Sequence, residues 1–136
     1  MATLRKESWI YVGTVALLGG ELLKWSSKGK VDIAAAVGDI PVGVAAEACA
    51  AGNVTGQNIG VWVPYQFATV QVQASAAITA GNFITAAAGG QAAGIAAPKA
   101  TYVTSFQFIW GYANEAAAAQ NDVIEMVWLL SVASIS

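Results

Sequence analysis

The sequence predicts a mainly β fold: a compact small barrel or sandwich-like domain with pseudo-repeat halves, one or two short helical turns and an N-terminal arm. Three observations predict it. Valine and isoleucine together number 25 against 7 leucines, so the bulky side chains are the β-branched kind that fit a pleated surface. The 29 alanines come in short runs broken by Gly, Thr, Asn or Pro, none reaching the roughly 12 residues at which a helix holds by itself. Turn signals punctuate the chain at Gly38-Asp39, Gly52-Asn53, Gly81-Asn82, Gly89-Gly90 and Asn121-Asp122. Glycine supplies a positive φ there and Asn or Asp bonds its neighbouring backbone, so short strands follow at about ten-residue intervals, the rhythm of a sandwich or barrel.

The elements follow in order. Trp9 to Leu18 is an apolar stretch of ten behind Arg5 and Lys6. Glu7 interrupts its basic flank and no small-x-small cleavage site follows, so it reads as a first strand and not as a secretory leader. Residues 22–25 and 29–34 are short strands. Residues 40–45 begin after Gly38-Asp39, and residues 59–63 alternate Ile59, Val61 and Val63 with Trp62 on the other face. Residues 67–73, then 83–86 after Gly81-Asn82, then 92–96 after Gly89-Gly90 continue the series. It ends with the aromatic stretch 103–112 and with 123–132, which contains Trp128. The Ala-rich segments 45–51 and 114–120 are expected as single helical turns, with Asn114 as the N-cap of the second.

A self-match at an offset of 68 residues, half the chain, organises these elements. Gly43, Ala45, Glu47, Ala48, Ala50, Ala51 and Asn53 recur as Gly111, Ala113, Glu115, Ala116, Ala118, Ala119 and Asn121, giving G-x-A-x-E-A-x-A-A-x-N twice. Each copy follows β-branched or aromatic residues and precedes an alternating strand with a tryptophan, so pseudo-repeats are expected around 40–63 and 108–130. Two repeats are too few for a solenoid, and at 136 residues the expectation is a single domain, with residues 1–20 as an N-terminal arm or first strand.

Composition narrows the function. The chain is 57% apolar and only 10% charged, with no histidine and one cysteine. The commonest general base, the commonest metal ligand and any internal disulfide are thereby removed, and no Ser-His-Asp or Cys-His arrangement is available. The uncharged stretch from Ala48 to Pro98 is punctuated by Asn, Gln and Pro, unlike a lipid-facing helix. Basic residues gather at the start: Arg5, Lys6, Lys24, Lys28 and Lys30 stand in the first 30 residues against Glu7 and Glu21, while the remainder is acidic. Five spread cations are too thin for nucleic acid; they suit an acidic surface, on another protein or another copy of this chain.

Two groups of residues are candidates. Arg5, Lys6, Trp9 and Tyr11 read either as one face of the first core strand or as an arm that adds to another chain's sheet edge, with the aromatics as anchors. Glu47 and Glu115 read as turn acids accepting backbone N–H bonds at the start of their Ala-rich turns, and less well as an acid–base pair. Cys49 aligns with Ala117, which implies a small, buried and inert thiol. No cofactor or metal ligand set is expected.

The runs VDIAAAVGDIPVGVAAEACAAGNVTGQNIGVWVPYQF, ITAGNFITAAAGGQ and FIWGYANEAAAAQNDVIEMVWLL, in that order, resemble the small capsid decoration or cement proteins of tailed bacteriophages. The likeness spans residues 20 to 132, with Asn82 where an acid is usual in the corresponding turn. It implies a non-enzymatic virion protein on the outer surface of an icosahedral head. Its implied partners are the major capsid protein and further copies of itself, typically as a homotrimer, and its implied role is to cement capsid subunits against the pressure of packaged DNA. The alternatives are another structural virion module, such as a head-fibre base or a tail component, and an enzyme or small-ligand binder using Glu47 and Glu115.

Overall fold

The computed structural model describes residues 5–50, 56–65, 67–95 and 105–135. Among these it is a β protein of ten strands: β1 Arg5–Tyr11, β2 Leu22–Ser27, β3 Lys30–Ile33, β4 Pro41–Ala45, β5 Gln57–Val63, β6 Thr69–Gln73, β7 Phe83–Ala87, β8 Gln91–Ile95, β9 Ser105–Ala113 and β10 Val123–Ile135. The mainly β reading holds, but the helical turns are misplaced. Residues 46–50 and 114–120 form bends and isolated bridges, and the helical element among the described residues is a 3-10 turn at Ala88–Gly90. The Ala-rich segments do not close a helical turn because their backbone is engaged elsewhere. Leu17 and Cys49 exchange N–H···O bonds of 2.8 and 3.0 Å, and Ile78 and Ala117 exchange bonds of 3.0 and 2.9 Å. The turn Gly52-Asn53 and the ends of the expected strands 92–96 and 103–112 lie outside the described residues.

Strands β1–β5 close into a barrel in the order β1-β3-β2-β4-β5, with β1 and β3 parallel and the other neighbours antiparallel. Strands β6–β10 form a second five-stranded sheet in the order β6-β10-β9-β7-β8, all antiparallel, whose two ends meet at a parallel bridge between Ala74 and Ala92. This is the same wiring twice. Leu22 pairs with Val44 and Leu23 with Gly43 in the first unit; Phe83 pairs with Tyr112 and Ile84 with Gly111 in the second. Ala45 pairs with Val61, and Ala113 with Met126. The parallel contact of Tyr11 with Val31 returns as Ala74 with Ala92. The repeat therefore extends over all ten strands, well beyond the segments 40–63 and 108–130.

The two interiors are filled differently at equivalent positions. The first core holds Tyr11, Leu17, Leu23, Val31, Cys49, Ile59, Val61 and Val63. In the second, Ala74 takes the place of Tyr11, and the lost volume is supplied by Trp128 in the place of Val63, with Trp110 beside it. Close packing requires such compensation, since an unfilled ring-sized void costs several kcal/mol (roughly 3–5 for an aromatic truncated to Ala). Leu22, Ala34 and Val44 of the first unit belong to the second unit's core cluster, so the units share apolar surface. Phe108 N–H also donates to the Val37 carbonyl at 2.8 Å.

Candidate docking surface

The charged start of the chain is built into the first barrel. β1 runs antiparallel to β5 from Arg5 opposite Val63 to Tyr11 opposite Gln57, but it meets β3 only at Ile10 and Tyr11. The other edge of Arg5–Trp9 is thus free of strand partners among the described residues. Arg5, Lys6, Glu7 and Ser8 are exposed and Trp9 is half-buried. The Arg5 guanidinium lies 2.9 Å from the Glu7 carboxylate, and the Lys6 ammonium sits 5.7 Å from the centre of the half-buried Trp62 ring. Such exposed pairs contribute little to stability, about 0–1 kcal/mol, and guard a bare strand edge by keeping it hydrated.

Tyr11 is placed differently from the other three. Its ring is fully buried, and its hydroxyl donates to the Val15 carbonyl at 2.5 Å. Burial, with the negative charge of Asp32 near it, pushes the phenol up to about 12. Arg5, Lys6 and Trp9 are therefore the part of the group that a partner can reach.

Glu47 and Glu115 occupy equivalent turns, each engaged within its own unit. Glu47 Oε1 accepts the N–H of Gly60, and Glu115 Oε1 accepts the N–H of Glu125 at 2.8 Å. Each ties its turn to the strand that follows, where the expectation had been N–H groups of the turn itself. The Glu125 carboxylate is in turn held by Asn114 Nδ2 at 2.6 Å. Two aspartates hold turns in the expected manner. Asp39 Oδ2 accepts from Ala35 and Ala36 at 2.8 and 3.0 Å, and Asp122 Oδ2 accepts from Ala118 and Ala119 at 2.8 and 3.1 Å. Cys49 is buried, its thiol donating to Gln57 Oε1 at 3.3 Å. Among the described residues no group of three or more His, Cys, Asp or Glu side chains is placed to hold a metal, and no helix is long and apolar enough to cross a membrane.

Sequence reasoning missed a second surface. β1 ends at Tyr11, and the stretch expected to continue as strand to Leu18 is a loop that exposes Val15 and Leu18, the latter 76% exposed. Gly13 and Thr14 were the available signal. The loop is pinned by Glu21, a buried carboxylate accepting the N–H groups of Leu18 and Gly19 at 2.7 and 2.8 Å. Beside it a cleft of about 470 Å³ separates the units, lined by Gly19, Gly20, Trp62, Gln71 and Glu125 among others. Trp25 and Ile40 add an exposed apolar pair, joined by a backbone bond of 2.9 Å. The strand edge Arg5–Trp9, the loop carrying Val15 and Leu18, and the Trp25–Ile40 pair are each exposed or half-exposed in the first unit.

No family model and no curated protein sequence matches this chain. A solved structure does: the N base of the head fiber protein gp8.5 of bacteriophage phi29, with a TM-score of 0.61 and 22% identity, over 98% of this chain and 99% of that one. The likeness is one of fold, and it runs through both five-stranded units.

Proposed function

We propose that this chain is a structural protein of a tailed-phage virion, seated on the outer surface of the head, where it bridges neighbouring major capsid proteins and cements the shell against the pressure of packaged DNA. The observation that carries the reading is the end-to-end match of the two-unit fold to a protein of a phage head fiber. The order of the sequence motifs supports the same class independently. Arg5, Lys6 and Trp9 on the free edge of β1 supply the attachment surface, with cations to steer toward an acidic capsid patch and an aromatic to anchor. Many such weak contacts, repeated over a shell, act through multivalency.

A second reading is the base of a head fibre. It is favoured because the matching structure is itself the N base of a head fiber and is covered almost from end to end. Adding the purified protein to mature heads that lack it tests both. Cryo-electron microscopy should show it on the capsid exterior; heads that remain bare, or density confined to the tail, overturn the placement. Heating the same heads with and without the protein separates the readings. Cementing raises the temperature at which DNA is released, whereas a fibre base leaves it unchanged.

A further inference from the structure

The two units carry an equivalent surface position, and in only one of them is it closed into a cleft. Because Tyr11 corresponds to Ala74 and Val61 to Met126, Lys6 and Ser8 of β1 correspond to Thr69 and Gln71 of β6, and Gly60 of β5 to Glu125 of β10. The registers agree: Ser8 stands opposite Gly60, and Gln71 opposite Glu125. In the first unit this face is a charged hollow lined by Lys6, Glu7, Glu47 and Asn58 among others. In the second, the first unit closes over it. Trp62 and the backbone of Gly19 and Gly20 belong to the other wall of the cleft of about 470 Å³.

The two walls differ in chemistry. Thr69, Gln71, Gln73 and Glu125 supply hydroxyl, amide and carboxylate groups from one side, and the half-buried indole of Trp62 supplies an aromatic surface from the other. Two of the polar groups are held in place by neighbours: Gln73 Oε1 accepts from Gln91 Nε2 at 3.2 Å, and Glu125 Oε1 accepts from Asn114 Nδ2 at 2.6 Å. The side chains of Thr69 and Gln71 make no hydrogen bond among the described residues. The volume falls within the roughly 300–1,000 Å³ of small-molecule sites.

Three ligand classes fit this lining poorly. No cation lines the cleft among the described residues, so the Glu125 carboxylate disfavours phosphates and other anions. A wholly apolar ligand would strip water from Thr69, Gln71 and Glu125 without replacing their bonds. An extended peptide would need the outer edge of β6, and Gly20 already covers it: a Cβ there would stand 3.7 Å from the Gln71 carbonyl oxygen, inside the roughly 4.7–4.9 Å spacing of an added strand. We infer that the cleft binds a short neutral saccharide, with the face of one sugar ring against the Trp62 indole and its hydroxyls bonded to Thr69, Gln71 and Glu125. Sugar hydroxyls both donate and accept, which matches an amide and a hydroxyl that do the same and a carboxylate that only accepts. The C–H face of a pyranose is apolar and packs on an aromatic ring. The inference does not depend on how the protein is attached to a head.

Titrating the purified full chain with cellobiose, maltose, lactose and N,N′-diacetylchitobiose, while the indole N–H signals of its tryptophans are followed by NMR, tests this. At least one of these sugars should move the Trp62 indole and the Gln71 side-chain amide saturably, with millimolar affinity or better, and leave the exposed Trp25 signal in place. Gln71→Ala should weaken that binding about fivefold, the worth of one net hydrogen bond. Trp62→Leu should abolish it. Trp62 also packs against the second unit's core, so that variant is compared only where its near-ultraviolet circular dichroism is native, and Gln71→Ala at an exposed position decides otherwise. Four silent titrations, shifts spread equally over Trp25 and Trp62, or binding indifferent to Gln71→Ala overturns the inference. So does saturable binding of trialanine or inorganic phosphate at the Trp62 signal in place of the sugars.

Discussion

The indole rings of Trp110 and Trp128 stack with centroids 6.2 Å apart and planes inclined by 30°, both fully buried in the second unit. Neither Nε1–H has a hydrogen-bond partner among the described residues. The pair is thus retained for volume and ring contact, against the cost of two desolvated donors. Trp128→Ala should destabilise by about 3–5 kcal/mol, the usual loss for an aromatic truncated in a packed core. Trp128→Phe should cost much less, since it removes an unsatisfied donor along with the lost area. Urea unfolding of the two variants checks the order; an equal loss in both would show that the indole N–H finds a partner.

Tyr11 gives a pH signature in the first unit. Its phenol is held up to about 12, chiefly by burial and then by Asp32, Cys49 and Glu21, while the unfolded chain titrates at the ordinary value of 10.0. The folded state therefore keeps its proton where the unfolded state loses it. The associated stability is complete below pH 10 and falls as pH rises from about 10 to about 12. Tyr11→Phe should flatten that part of the stability curve and cost the neutral region the hydroxyl's contacts, the bond to the Val15 carbonyl among them. Chemical denaturation across pH 8 to 12, with absorbance of the phenolate followed in parallel, measures both effects.

Much of the fold was readable because β-branched residues and turn signals act locally; the extent of the repeat was not. Leu23 corresponds to Ile84, 61 residues on, Gly43 to Gly111, 68 on, and Val61 to Met126, 65 on. A comparison at one fixed offset detects only the segment around β4 and β9, because loops of different length shift the rest. Core compensation hides it further, since Tyr11 faces Ala74 and Val63 faces Trp128 in the alignment of the units. The helical expectation failed for a tertiary reason: alanine propensity of a few tenths of a kcal/mol per residue yields to the bridges at Cys49 and Ala117. In the candidate surface, exposure of Arg5 and Lys6 follows from charge alone. Burial of Tyr11 depends on barrel closure, which no local pattern reports.

The repeated glutamates are expected to be structural. Glu115→Ala frees the Glu125 N–H and should cost about 1 kcal/mol, reduced from the value for a buried charged bond because the site is exposed. Glu115→Gln, which keeps an acceptor oxygen, should recover most of it, and the Glu47 pair of variants should behave alike because the contact is the same. Thermal melts of the four variants decide this. A variant that melts as the wild type but no longer binds heads would instead assign the carboxylate to the partner surface.

The glycine of the repeated motif has a steric reason. Gly43 and Gly111 are buried, and a Cβ built on either would collide with a backbone carbonyl of the adjacent strand, Trp62 in one unit and Val127 in the other. Neither glycine has a positive φ, so the constraint is close strand approach and not chain reversal. Backbone cannot step aside as a flexible side chain can. Gly111→Ala should therefore destabilise by about 3 kcal/mol, the upper end for overpacking, and Gly43→Ala by a similar amount. Gly29→Ala is the control: its Cβ would meet nothing within 4 Å, so its loss should reflect only the left-handed φ of 74°. Urea midpoints for the three variants separate the causes. Equal losses at all three positions would mean that the strands at Gly43 and Gly111 part easily, and that the motif repeats for another reason.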